Sequence, residues 1–402
     1  MKAEALLVQE KSGYALVEPR CRYFGTCGGC TLQDLSSADQ LALKQERLRR
    51  LLAPLGHAPS PTVVPAEEPW RYRNKAEFTF GAVDGQLLLG YHAARSFWKI
   101  VDLDDCLLMP EAAMRVVRAV QALAARSGAP AYHPRTHQGF FRYVLVRHSR
   151  ATGQLLICLM TSPGDRAVIE GIAHELLPRH PEITSFLWGI TSRLADIAVP
   201  EQLETLHGLA HLDDQVGPFR VRLHPLSFLQ PNGVQADRIY RRLAELVRGS
   251  PQGIAWDLYC GIGLVGFYLA GKFQRVYGID IDPRHTELAA SNAALNRLEN
   301  MTFRAGRVET ALLDRRFWLQ EAKPDLIVVD PPRAGLHPQA LSSLLAARPT
   351  QIAYLSCNAQ SFVRDLQVLQ SQFPRYRIAA LEAFDMFPQT NHLETLALLD
   401  RA

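Results

Sequence analysis

The sequence predicts an α/β protein. Its C-terminal half reads as a doubly wound, mostly parallel sheet, and an α+β domain carrying a four-cysteine site precedes it. Three observations predict this. From Gln235 onward, apolar strand-like runs alternate with helical stretches, the pattern of a parallel sheet. A glycine turn, Asp257-Leu-Tyr-Cys-Gly-Ile-Gly-Leu-Val-Gly266, follows the first of those strands. From Tyr72 to about residue 230, short alternating or apolar runs dominate, which is α+β texture.

The chain has 402 residues, room for two or three domains. With 48% hydrophobic and 21% charged residues it is not a disordered chain. A net charge of +4 permits a basic face for nucleic acid without requiring one. No apolar run is long enough to span a bilayer, and Met1 to Pro19 lacks the pattern of a cleaved signal. The expectation is a cytoplasmic protein with no membrane partner and no obligate protein partner. In a reducing compartment, its seven cysteines point to metal binding or catalysis rather than disulfides.

Taken in order, residues 1–20 form a short N-terminal segment, with room for a strand or two at most. Residues 21–227 form a central region and residues 228–402 a catalytic domain. Leu41, Leu48, Leu51 and Leu52 recur at helical spacing and predict an amphipathic helix over 39–53, free to pack on the catalytic domain. Pro54, Pro59, Pro61, Pro65 and Pro69 end it and predict an extended linker. The central region predicts strands at Glu77–Gly81, Leu87–Tyr91, Tyr143–His148 and Leu155–Thr161, with a helix over Met114–Ala125. The catalytic domain predicts helices over Ala236–Val247 and Arg284–Asn296. Its strands are expected at Ile254–Tyr259, Val276–Asp280, Leu326–Val329, Gln351–Ser356, Ile378–Phe384 and Leu396–Leu399.

In the glycine turn, Gly261 and Gly263 let the backbone approach a ligand. Asp280 ends the next strand, where a carboxylate can accept from ribose hydroxyls. Alone, these features also fit a dinucleotide site. Asp330-Pro-Pro-Arg333 follows the apolar run Leu326–Val329 and therefore lies at the carboxyl edge where such sheets bind ligands. Ser356-Cys357-Asn358 ends the next strand, a place suited to a reactive thiol, although free cysteines are commonly inert and buried. Glu394, in Asn391-His-Leu-Glu394, is the best candidate base nearby; an exposed acid at a strand start is the alternative.

Cys21, Cys27 and Cys30 form C-x5-C-x2-C, and Cys106 is the candidate fourth ligand. Four thiolates hold zinc or an iron–sulfur cluster, and the spacing does not separate the two. Cys158, in an apolar run, and Cys260, in the glycine turn, read as packing residues.

Together these stretches resemble the RNA uracil-5 methyltransferase family. The match is carried by Asp257 to Gly266, Gly278-Ile-Asp280, Asp330 to Leu336, Leu355-Ser-Cys-Asn358 and Asp385 to Glu394. Ser227-Phe-Leu-Gln-Pro-Asn232 resembles the segment that opens the family's catalytic domain, and Arg73-Asn-Lys75 and Gly139 to Arg142 resemble segments of its central domain. The resemblance implies a Rossmann-like class I methyltransferase domain using S-adenosylmethionine. It implies Cys357 as the nucleophile on uracil carbon 6 and Glu394 as acceptor of the carbon 5 proton. Gln230, Tyr259, Gly261, Asp280 and Asp330 would contact the methyl donor. Phe228 would stack on a flipped uracil that Asp330 helps orient. Enzymes using this route on cytosine commonly carry a cysteine beside the Asp-Pro-Pro proline, and none stands there. Arg333 occupies a place that is commonly aromatic in amine methylation.

The resemblance to the cluster-bearing branch implies a [4Fe-4S] cluster on Cys21, Cys27, Cys30 and Cys106. It favours RNA from the large ribosomal subunit, 23S rRNA, over the T-loop uridine of tRNA. A non-catalytic RNA-binding protein and an NAD-dependent enzyme are more remote alternatives. Two departures are visible. Arg307 stands where family members often have an acid, and Leu264 where the glycine turn is often more polar. The twenty residues before Cys21 leave no room for the RNA-binding barrel with which many cluster-bearing relatives begin.

Overall fold

The computed structural model describes residues 9–56, 61–311, 323–372 and 374–402. Two large sheets organise them. The eight-stranded sheet runs, edge to edge, Val63–Val64, Tyr376–Phe384, Glu394–Arg401, Gln351–Ser356, Leu326–Val329, Ser250–Leu258, Phe273–Asp280 and Met301–Ala305. Every pairing is parallel except the two made by Glu394–Arg401, which is antiparallel to both neighbours. The strands Leu326–Val329 and Gln351–Ser356 are buried throughout, which is why they read as unbroken apolar runs.

Helices cover both faces. Gly233–Leu246, Leu264–Ala270 and Pro283–Leu295 share one apolar core with the sheet. Pro338–Ala347 and Ala359–Gln372 share the other, where Trp256, Ile327 and Tyr354 lie. The N-terminal helix Ser37–Leu52 joins this second layer through Leu48 and Leu52.

The seven-stranded sheet runs Ile100–Asp102, Gln86–His92, Lys75–Val83, Phe141–His148, Leu155–Thr161, Ile183–Ile190 and Gln202–Gly208. One pairing, Leu155–Thr161 with Ile183–Ile190, is parallel and the rest antiparallel. Helices Glu111–Arg126 and Arg166–Leu176 cover one face. Tyr143, Leu145, Cys158 and Met160 on the other face pack into the core that also holds the hairpin Leu212–Val216/Phe219–Leu223 and the helix Gly233–Leu246.

The strands expected from the sequence fall within one to four residues of these. The stretch expected as a linker differs. Val63–Val64 pairs with Ala383 and Phe384 at the edge of the large sheet. Prolines at 61 and 65 confine this strand to two residues, and an edge position tolerates them. The expected strand or two of Met1 to Pro19 falls partly outside the described residues; within them, Leu16 bridges Leu35.

Candidate active site

Strand register assembles the site. Leu258 pairs with Ile279 and with Val329, and Val329 pairs with Tyr354. The next residues, Tyr259, Asp280 and Asp330, therefore share one carboxyl edge. Ser356 pairs with Thr395 in the antiparallel ladder. One step further along the same register sets Cys357 opposite Glu394.

The glycine turn departs from ordinary backbone at three residues, Tyr259 (φ 65°), Gly261 (φ 53°) and Gly263 (φ 87°). At Gly263 a side chain is excluded twice, by that φ and by ring carbons of Phe267 and Phe303 that a Cβ would meet at 2.9–3.0 Å. Asp280 receives the Gly261 N–H at Oδ2 (3.0 Å) and the Asp282 N–H at Oδ1 (2.9 Å), with His285 Nδ1 at 3.1 Å from Oδ1. Burial alone would raise its pKa, but these hydrogen bonds outweigh it and hold Asp280 below the ordinary value. Oδ2 keeps a free lone pair for a ribose hydroxyl. Asp257, fully buried beneath the turn, accepts the Gly266 N–H at 3.0 Å, and burial pushes its pKa to about 8.

Gln230 is buried and Phe228 is 59% exposed on one loop. The central sheet holds that loop. Asn74 donates its side-chain N–H to Gln230 O and its backbone N–H to Pro231 O, each at 2.9 Å. The buried Arg147 donates to Pro225 O at 2.9 Å and to Ser227 O. An anchored backbone thus presents an uncovered aromatic ring.

At the chemical centre, Glu394 is 1% exposed and neither carboxyl oxygen has a hydrogen-bond partner among the described residues. Burial, reinforced by the nearby Asp330, raises its pKa well above the usual range, and Arg333 opposes this only in part. Burial also lifts Asp330 to about 7. For Cys357, burial and the charge of Glu394 raise the thiol pKa, while Arg333 lowers it by a hydrogen bond and its charge; the net direction is up. The Arg333 carbonyl is tied down by Asn358 Nδ2 (2.9 Å) and Ser361 Oγ (3.1 Å), so the Asp-Pro-Pro-Arg and Ser-Cys-Asn loops are one unit.

Cys357 opens onto a cavity of about 270 Å³. This approaches the ~300 Å³ lower end of small-ligand sites, though Glu394, Asp330 and Phe228 are not among its lining residues. Arg333 and His392 line it beside Cys357, and Lys44 and Arg47 of the N-terminal helix line the far wall. His392 is pushed down to about 4 by burial and the surrounding arginines and lysine, so it is neutral near pH 7. Lys44 is buried and paired with Asp385 at 2.5 Å.

Sequence reasoning missed Arg333 as a partner of the thiol and the helix wall altogether. Neither had a local signal, since Lys44 and Asp385 are 341 residues apart. Arg307 is exposed, 3.6 Å from Glu309. Two acids reach Tyr259 by their charge, Glu309, two residues on, and Asp365. Leu264 is buried in the core behind the turn.

The four cysteines also meet. Cys21, Cys27, Cys30 and Cys106 line one small cavity with Arg73 and Tyr91. Burial, with the charges of the neighbouring thiols, raises Cys27 to about 11 and Cys30 to about 12. Among the described residues, no three His, Cys, Asp or Glu side chains stand close enough to hold a single metal ion. Cys158 and Cys260 lie elsewhere and are buried. Just past Cys30, the N–H groups of Thr31 and Leu32 donate to Gln389 O at 2.9 and 3.0 Å. Asn391 N donates to Thr31 Oγ1 at 3.1 Å, so the cysteine segment is laced to the loop leading into Glu394.

A family model described as tRNA (Uracil-5-)-methyltransferase matches residues 210–402. An uncharacterized RNA methyltransferase of Chlorobaculum tepidum is 33% identical, across 100% of this chain and 86% of its own length. Another, from Caldanaerobacter subterraneus subsp. tengcongensis, is 34% identical across 100% of this chain and 88% of its own. Among solved structures, the Pyrococcus abyssi tRNA (uracil-54, C5)-methyltransferase in complex with S-adenosyl-L-homocysteine superposes with a TM-score of 0.75. It is 28% identical and covers 93% of this chain and 86% of its own.

Proposed function

This chain belongs to the S-adenosylmethionine-dependent RNA (uracil-5-)-methyltransferase family, and from that premise we propose that Cys357 and Glu394 carry out methyl transfer to carbon 5 of one uridine in 23S rRNA. The observation that carries the mechanism is the buried Glu394, with neither oxygen partnered among the described residues, opposite Cys357 one step beyond the Ser356–Thr395 pair. The Cys357 thiolate adds to carbon 6, and carbon 5 becomes an enolate carbon. Carbon 5 takes the methyl from the sulfonium, leaving S-adenosylhomocysteine. Glu394 then accepts the extra carbon 5 proton, the carbon 6–sulfur bond breaks, and 5-methyluridine leaves.

Asp280 and Gln230 would hold the donor, and Asp330 would contact both donor and base. Phe228 offers the stacking face for a base taken out of its RNA helix. Arg333 would stabilise the thiolate. Its cationic place beside the thiol is consistent with attack on a ring carbon rather than stacking on an amine.

Four thiols lining one cavity are a donor set that an iron–sulfur cluster or zinc can use, and the resemblance to the cluster-bearing branch favours the cluster. We read the group as [4Fe-4S] on Cys21, Cys27, Cys30 and Cys106. When bound, it would supply a covalent staple rather than electrons, because methyl transfer needs none. The chain's own part is to hold Thr31 and Leu32 against Gln389, and so to position the loop before Glu394.

A tRNA target is the second reading, favoured by the Pyrococcus abyssi likeness. Incubation with labelled S-adenosylmethionine and unmethylated 23S rRNA or tRNA, followed by nuclease digestion, separates the two. The proposal expects 5-methyluridine from rRNA at one position. Label found only in tRNA would replace the target, and label in cytidine would overturn the base assignment.

A further inference from the structure

We propose that a cleft on the central sheet, away from Cys357, is a second RNA-binding site that takes an unpaired nucleotide of the substrate RNA outside the catalytic cavity. The cleft has a volume of about 400 Å³ and lies between the end of the strand Lys75–Val83, the segment Phe97–Ile100 and the loop Ala131–Arg135. Its rim is unlike the rest of the surface. Phe97 is 84% exposed, Trp98 59% and Val83 55%, three large apolar side chains that folding leaves uncovered in one place.

Cations stand beside the rings. The Arg135 guanidinium lies 4.5 Å over the Trp98 ring, and Lys99 follows Trp98 directly. Neither Arg135 nor Lys99 pairs with a carboxylate among the described residues. Arg142, deeper in the cleft, is not free: it donates to the carbonyls of Thr191, Arg193 and Ala195 and lies 3.9 Å over Tyr132. The acid of the cleft, Asp196, accepts from Tyr143 Oη and lies 3.8 Å from His92 Nε2. Most of the interior is thus engaged, although Arg142 Nε and His92 Nδ1 are buried without a partner among the described residues, whereas the rim offers the exposed rings of Phe97 and Trp98 and two cations unpaired with any described carboxylate.

That combination selects nucleic acid. A base has a π-face for Phe97 or Trp98, and its phosphate answers Arg135 and Lys99. The segment carrying Phe97 and Trp98 closes on itself by hydrogen bonds, Ala93 N donating to Lys99 O at 2.7 Å and Lys99 N to Ser96 Oγ at 3.0 Å. A site ordered before binding loses less entropy on engaging a single strand. The inference rests on the reading that RNA is the substrate, and extends it to a second point of contact.

The test uses the full chain with S-adenosylmethionine bound and a fluorescein-labelled oligoadenylate, which has no uracil for the catalytic cavity. Wild-type protein should bind it, in a salt-dependent manner. The double variant Phe97→Ala/Trp98→Ala should bind about tenfold more weakly, the loss expected for one stacked base. Trp98→Phe should keep most of the affinity. Methylation of rRNA by the double variant should show a raised KM for RNA with kcat held. Unchanged oligoadenylate affinity in a double variant that still binds S-adenosylmethionine would overturn the proposal. So would no oligoadenylate binding by the wild type. Wild-type protein that binds oligoadenylate but methylates no RNA would instead overturn the functional reading and leave the cleft standing.

Discussion

The carboxyl edge of the eight-stranded sheet and the cysteine cavity both gather reactive side chains from distant parts of the chain, but by different means. At the edge, backbone ladders set the geometry. Cys357 faces Glu394 because Ser356 pairs with Thr395, and Asp330 stands near them because Val329 pairs with Tyr354. At the cavity, Cys21, Cys27 and Cys30 lie on an irregular segment in which Cys27 bridges Ala93, and Cys106 comes from a separate loop. Burial raises Cys27, Cys30 and Cys106, and among the described residues only the Cys27–Ala93 bridge ties any of the four into a strand pairing, so an inorganic centre would both order them and take the place of their protons. The edge is preorganised by the polypeptide; the cavity, on the proposed reading, would be completed by a bound cluster.

The largest test of this contrast is at the edge. Cys357→Ala should abolish methyl transfer, on the order of 10⁴-fold or more, while S-adenosylmethionine binding by calorimetry stays close to wild type. Glu394→Gln should slow turnover about 10²- to 10⁴-fold and leave the RNA covalently attached to Cys357, visible as a shifted band on a denaturing gel. Rapid release of methylated RNA by Glu394→Gln would assign the proton to another base.

A second test weakens the joint between the two regions. Lys44 and Asp385 form a buried pair between the N-terminal helix and the catalytic domain. Removing one partner strands a buried charge, so Lys44→Met should cost about 3–5 kcal/mol in thermal or denaturant unfolding. A stability change near zero would show that the helix is only loosely attached.

Smaller effects concern titration. Asp330 is raised to about 7 and Glu394 above its usual range, and both must be carboxylates to accept protons or orient the base. The Cys357 thiol, also raised, must ionise. All three groups act in their deprotonated forms, so kcat/KM should climb with pH through about 7 and beyond. A rate flat from pH 6 to 8 would contradict these environments. Arg333→Ala removes the cation beside the thiol and should move the climb to higher pH, with a loss near tenfold at pH 7.

Much of the edge was legible because each motif ends a buried strand. Asp280, Asp330 and Cys357 each follow an apolar run, and such runs mark parallel strands without knowledge of their partners. The antiparallel return Glu394–Arg401 was legible as a strand, yet its pairing beside Gln351–Ser356 is a tertiary fact. The far wall of the cavity was not legible: the leucines of the helix Ser37–Leu52 announced an apolar face, but nothing local said that Arg47 and Lys44 would line the space in front of Cys357. Gln202–Gly208 was missed because it is an edge strand with no residue fully buried, so its apolar alternation is weak. The meeting of Cys106 with Cys21, Cys27 and Cys30 was expected only by counting ligands, and the structure brings them to one cavity.

The most direct measurement of the central claim is trapping with RNA that contains 5-fluorouridine, in the presence of S-adenosylmethionine. Fluorine on carbon 5 cannot be removed as a proton, so the reaction should stop after methylation with the base still bound to the protein. The account predicts a denaturation-resistant adduct carrying the labelled methyl, with peptide mapping placing it on Cys357 and none forming with Cys357→Ala. An adduct on another residue, or none from folded protein that methylates the unfluorinated RNA, would contradict it.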